Sequence, residues 1–257
     1  LQIYFDFSGY SDMAIGLSLL FGVKLPLNFN SPYKAVNIID FWRRWHMTLS
    51  RFLRDYLYIP LGGNRAGEAR RLANLMIVML LGGLWHGASW TFLVWGGLHG
   101  VYLMANHAWH RLVGERPAKS RSSRLAGWLT TFLLVTIAWV FFRSPTLDMA
   151  LNITQSMLGL SATLLPVDLA AARLPSVGVA AIAAAALAIA WFLPNSQEIM
   201  ALYKPALGNP SAVGMTRWTI LWRPNVASAM VIGTMAAASL MMILFEKRVG
   251  DFIYFQF

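Results

Sequence analysis

Cysteine is absent from the 257 residues. That one absence excludes a disulfide framework, a thiolate metal site and a cysteine nucleophile together. Charge is also scarce. Asp, Glu, Lys and Arg make up 12% of the chain, about half the share of a soluble domain. Only 11 of these residues are acidic against 21 basic, which leaves a net charge of +10. No glycine-rich phosphate loop occurs, and Ser89 sits in no GxSxG-type elbow. His46 and His86 carry no HxxxH or HxxE spacing. His107 and His110 share a helix face, but no acidic residue stands near them to complete a site. No bound metal is therefore expected.

Apolar surface is abundant. Hydrophobic residues make up 57% of the chain, the mean hydropathy is +0.53, and there are 11 Trp, 15 Phe and 13 Met. A chain of this kind is an integral membrane protein, with aromatics gathered at the bilayer interfaces. The basic residues fall in loops between apolar runs, which fits cytoplasmic loops better than a nucleic-acid footprint. Residues 125–142, 177–193 and 226–245 each approach the ~20 apolar residues that a helix needs to cross a bilayer. The chain opens at Leu1 inside an apolar stretch, with no signal peptide ahead of it. It is expected to be the C-terminal part of a longer membrane protein whose earlier helices are missing here.

Residues 72–110 contain no Asp, Glu, Lys or Arg. The run is long enough for two short spans, with Gly82, Gly83 and Gly87 near its middle, so it predicts a helical hairpin or a broken helix. Its first arm, 72–85, is about 21 Å long, which would leave Trp85-His86-Gly87 at depth in the bilayer. Residues 3–23 are apolar but include Asp6 and Asp12, each costing about 2.5–3.5 kcal/mol if it faced lipid. Both are expected to face protein or a wet cavity. Residues 41–54 set Phe41, Trp42, Trp45, Leu49, Phe52 and Leu53 against Arg43, Arg44, Arg51 and Arg54. That spacing predicts one interfacial helix with Asp40 as its N-cap. Residues 60–65 read as a turn, and 147–160 as a second interfacial or re-entrant helix. The basic residues of 43–71 and 111–124 place both segments in the cytoplasm, with 143–176 external and 194–225 internal. Lys247 and Arg248 weigh against the last step of that orientation.

All five His lie between positions 46 and 110. An ionisable residue inside a span is costly and rare, which makes His86 a functional candidate. The alternative is a neutral imidazole bonded to a neighbouring helix, and the residues alone leave both open. His99, His107 and His110 read as structural or interfacial. An imidazole can take a proton from an alcohol near neutral pH, worth about 10²–10⁴ in rate. A largely dry pocket would also limit hydrolysis of an activated acyl donor. From chemistry alone the reading stops at proton transfer or relay in a membrane.

Four segments then carry a resemblance. They are Tyr4-Phe-Asp-Phe-Ser-Gly-Tyr-Ser-Asp-Met-Ala-Ile-Gly16, Phe41-Trp-Arg-Arg-Trp-His-Met-Thr-Leu-Ser50, Arg54-Asp-Tyr-Leu-Tyr-Ile-Pro-Leu-Gly-Gly63 and Leu84-Trp-His-Gly-Ala-Ser-Trp90. In this order they resemble the membrane-bound O-acyltransferase superfamily, most of all its alginate O-acetyltransferase membrane subunits. The closing Phe252-Ile-Tyr-Phe-Gln-Phe257 is similar to the end of that subfamily.

The resemblance implies one membrane-embedded acyltransferase domain over 1–257, an all-α polytopic bundle with interfacial and re-entrant helices and a central passage. It implies transfer of an acyl group from a thioester to a hydroxyl, with His86 as general base and His46 positioning substrate or supporting that base. Arg43, Arg44, Trp85 and Ser89 are expected to bind substrate, the arginines suiting donor phosphates. Asp6, Asp12 and Asp55 are expected to hold the site in shape. Acetyl-CoA is the expected donor, with no cofactor bound. The expected acceptor is an exported polysaccharide such as alginate or a periplasmic acetyl-carrying partner protein, and the expected location is the bacterial inner membrane. Teichoic acid, peptidoglycan and cellulose are alternative acceptors. A proton-coupled transporter and a non-enzymatic export subunit are rivals of other classes, although no internal repeat supports the transporter.

Overall fold

The structure is a computed structural model that describes residues 1–65, 67–114, 120–160, 177–208 and 220–245. In chain order its helices are α1 (Gln2–Leu20), α2 (Ile38–Trp42), α3 (Met47–Leu53), α4 (Glu68–His86), α5 (Trp90–Val113), α6 (Arg121–Arg143), α7 (Leu147–Met157), α8 (Val177–Phe192), α9 (Ser196–Ile199) and α10 (Val226–Phe245). No β-strand occurs among the described residues. The closing motif at 252–257 and Lys247 and Arg248 lie outside them, as do much of the expected external and internal loops.

The chain divides into two compact units, one of Leu1–Asn30 with Ala186–Phe257, the other of Ser31–Ala185. In the first unit, Phe29 packs its ring against Tyr4 and Phe7 of α1. Leu25 and Leu27 exchange backbone hydrogen bonds with Leu207. Asn195 caps α9 in a reciprocal pair with Glu198 and donates through Nδ2 to Asn30 Oδ1 at 2.9 Å. Of the two α1 carboxylates, Asp12 meets the expectation that it faces protein. It accepts from Ser196 Oγ at 2.6 Å and Gln197 Nε2 at 3.1 Å.

In the second unit, the uncharged run resolves into two helices rather than one broken one. The α4 helix starts at Glu68 and runs 19 residues, about 28 Å, so the first arm is longer than the apolar boundary at Leu72 suggests. The reason is a polar first turn. Glu68 pairs with Arg71 at 2.9 Å and with Arg111 of α5 at 2.8 Å, which closes the open end of the hairpin. The two helices touch backbone to backbone. A side-chain carbon on Gly83 would collide with the Phe92 carbonyl, and one on Gly96 with the Met79 carbonyl.

The single interfacial helix expected over 41–54 is two helices, and Asn37 is the N-cap. Its side chain accepts the Asp40 N–H at 2.8 Å. Asp40 lies inside the first turn, where it pairs with Arg44 Nε at 2.8 Å. The helix breaks because His46 takes a left-handed conformation, φ 42° and ψ 54°, which no right-handed helix contains. The break buries Trp45, which stacks on Phe41 and meets Trp139. A wide π-type turn over Arg54–Tyr58 follows, then the expected turn through Gly62 and Gly63, which Asn74 of α4 fastens by donating to the Leu61 and Gly63 carbonyls.

Helices α6 and α10 are long and apolar enough to cross a membrane. The α8 helix has 16 described residues, about 24 Å, short of the ~30 Å core. No residue of α10 is buried. The α7 helix, capped by Thr146, occupies the segment expected to be interfacial or re-entrant.

Candidate active site

The Leu84-Trp-His-Gly-Ala-Ser-Trp90 motif is the elbow between α4 and α5. His86 is the last residue of α4. Ser89 caps α5, its Oγ accepting the Thr91 N–H at 3.3 Å and sharing a 2.9 Å bond with the Thr91 hydroxyl. Three residues therefore reverse the chain, and Gly87 is needed in them because the Phe92 ring closes over it. A side-chain carbon there would lie 2.7 Å from that ring.

The elbow holds the half-buried His86 imidazole in an aromatic socket. Its ring centre lies 5.0 Å from Trp85, 5.3 Å from Trp95, 5.0 Å from Phe142 and 6.2 Å from Phe92. The Trp95 and Phe142 rings stand nearly perpendicular to it, at 90° and 79°, the edge-to-face geometry that aromatic quadrupoles favour. His46 meets the same Trp85 indole, ring centre to ring centre 6.3 Å. The two imidazoles thus share one indole. Trp85 itself is 62% exposed and forms the open side of the socket, whereas His46 is buried.

The other expected site residues separate into groups. Arg43 is exposed. Arg44 is committed to Asp40, with 13% of its side chain exposed. Asp55 is held bidentately by Arg54 at 2.7 and 3.3 Å on the surface, and this guanidinium keeps its carboxyl below the usual carboxylate range. Asp6 is half-buried on α1. Asp6 and Asp12 belong to the first unit, not to the one carrying both histidines.

Sequence reasoning passed over the socket itself. Trp42 counted only toward the apolar face of residues 41–54, and Trp95, Trp139 and Phe142 belong to no motif that singles them out. His99, read as structural or interfacial, is wholly buried, and its Nδ1 accepts from Trp42 Nε1 at 3.3 Å. The available signal was spacing: Phe92, Trp95, His99 and Leu103 recur every three or four residues on one face of α5.

Comparison with known proteins gives the family. The model of the membrane-bound O-acyltransferase family matches residues 1–145, a span that contains both histidines and the socket. A peptidoglycan O-acetyltransferase of Helicobacter pylori is 56% identical over 62% of this chain and 30% of its own length. A probable alginate O-acetylase of Azotobacter vinelandii is 40% identical across 100% of this chain and 52% of its own. A teichoic acid D-alanyltransferase of Streptococcus thermophilus is 32% identical over 55% and 38%. The chain spans about half the length of the alginate relatives that it matches from end to end. With that family model matching more than half of its residues, the chain belongs to the membrane-bound O-acyltransferase family.

Proposed function

We propose that the protein of which this chain forms part is a multi-pass O-acetyltransferase of the bacterial inner membrane. It passes an acetyl group to hydroxyls of an exported polysaccharide such as alginate, or to a periplasmic acetyl-carrying partner. The observation that carries this reading is His86 in its socket, an imidazole set rigidly by aromatic walls and open on the Trp85 side. His86 accepts the proton of the acceptor hydroxyl as that oxygen attacks the thioester carbonyl. The carbon–sulfur bond then breaks, and the thiol leaves with the proton. Acetyl-CoA is the donor that fits this chemistry, and the exposed Arg43 is the cation assigned to its phosphates. His46 supports the site through its contact with Trp85, and the aromatic walls keep bulk water from the activated acyl group.

The test uses the full-length protein with its neighbouring subunits in a strain deleted for it. Ester-linked acetate on secreted and cell-wall polymers is measured for wild type and His86→Ala at matched membrane abundance. Loss of acetate from one polymer supports the reading and names the acceptor. Normal acetate on every polymer would falsify it and bring forward proton-coupled transport, tested by uptake into vesicles. Peptidoglycan is the second acceptor to measure, because the relative bearing that name is 56% identical over 62% of this chain.

A further inference from the structure

The proposed reaction leaves unused a second imidazole behind His86. His99 is wholly buried one turn after Trp95 on α5. Its ring stacks on Phe41 at 6.1 Å and 10°, and meets Trp42 at 5.1 Å and Trp95 at 5.0 Å edge to face. The Trp42 indole N–H donates to Nδ1 at 3.3 Å. A ring nitrogen that accepts a hydrogen bond carries no proton, so His99 is neutral and bears its proton on Nε2.

That Nε2–H, like the buried Trp95 Nε1–H, has no hydrogen-bond partner among the described residues. An unsatisfied buried donor costs about 1–3 kcal/mol. A phenylalanine at 99 would fill the same aromatic stack without that cost. Phenylalanine would, however, leave the Trp42 N–H without its acceptor, so the two side chains differ less in stability than in what they do to their neighbours. Trp95 stands between two imidazoles, 5.0 Å from His99 and 5.3 Å from His86, and lies at 90° to the latter. Trp42, 6.0 Å from Trp95, closes the triangle behind it.

We propose that His99 is a positioning residue: held by the Trp42 N–H in one tautomer and one orientation, it fixes the Trp95 indole as the perpendicular wall against which His86 is set. The effect is on geometry at the base. A misplacement of about 1 Å costs on the order of 10²-fold in rate, so loss of the brace is expected to lower turnover rather than substrate binding. The inference rests on His86 acting as the base.

The experiment uses the full-length transferase with its partner subunits in membranes and measures kcat, KM for the acyl donor, and protein abundance. Trp42→Phe removes the donor N–H, and His99→Phe removes both ring nitrogens. His99→Asn keeps an acceptor near the Nδ1 position. Each Phe variant is expected to lower kcat at least about tenfold, with KM and abundance unchanged. The double variant is expected to be no slower than the slower single one, because both remove one interaction. His99→Asn is expected to recover most of the turnover. Multiplying losses in the double variant, a kcat loss that tracks abundance, or an Asn variant as slow as Phe would each overturn the proposal. His86→Ala, run alongside, separates the two readings. If it remains active, the assignment of the base fails. If it is inactive while His99→Phe turns over normally, only the brace fails.

Discussion

The Phe92 carbonyl of α5 occupies the space where a side chain on Gly83 of α4 would begin, and the Met79 carbonyl does the same to Gly96. The contact is reciprocal, backbone against backbone, just beneath the elbow that carries His86. In both cases the obstacle is backbone, which cannot swing aside as a side-chain tip can. Small residues that allow such approach are the usual currency of helix pairing in lipid. Gly83→Ala and Gly96→Ala are each expected to destabilise the detergent-solubilised protein by about 1–3 kcal/mol, read as a lower thermal midpoint. Gly233→Ala, with open space around it, is expected to leave the midpoint unchanged.

Gly87 differs because its obstacle is a ring. Gly87→Ala is expected to push the Phe92 side chain, 2.7 Å from the new carbon, toward the His86 socket. Acetyl transfer should fall by on the order of tenfold or more, while abundance changes little. Adding Phe92→Leu should restore part of the lost rate by freeing space. A double variant no better than Gly87→Ala would show that the fault lies in the backbone.

His46 sits in the left-handed region at φ 42°, where asparagine is tolerated and a β-branched residue is strained. His46→Val is expected to be less stable than His46→Asn by about 1–3 kcal/mol, and both should lose activity with the imidazole. Thermal midpoints of the two variants, compared with their residual transfer rates, separate the backbone role of this position from its chemical one. Equal midpoints would refute the backbone role.

Arg43 and Arg44 are adjacent but do different work. Arg44→Ala breaks the pair with Asp40, whose other oxygen accepts the Val36 N–H at 3.3 Å. It is expected to cost about 1 kcal/mol of stability with the donor KM unchanged. Arg43→Ala should leave the thermal midpoint alone and raise the donor KM about fivefold, the equivalent of one exposed charge-assisted contact. A reversed pattern would assign the donor phosphates to the wrong arginine.

What was legible in the sequence was local. Gly82, Gly83 and Gly87 marked a reversal in the middle of the uncharged run, and the chain turns at the last of them. The break at His46 was not legible. Phe41, Trp42, Trp45, Leu49 and Phe52 keep helical spacing straight through it, and the reason for the break is tertiary, the burial of Trp45 against Trp139 of α6. Asn37 was overlooked as a cap because Asp40 stood nearer the apolar run, though an asparagine three residues earlier serves equally well. His99 was read as structural because its meaning depends on Trp42, 57 positions away. Local pattern carries no trace of such a pairing.

The bond between Asp12 and Ser196 spans 184 positions, and that separation is also an interval of time. At 5–20 residues per second of synthesis, Ser196 is made roughly 10–40 s after Asp12. Throughout that interval α1 carries a carboxylate among apolar residues with neither of its two α9 donors yet in existence. The helix must keep that group wet, or keep it covered by something else, until the second half of its own unit arrives. The two α9 donors therefore reach that carboxylate only after every residue of the second unit has been made.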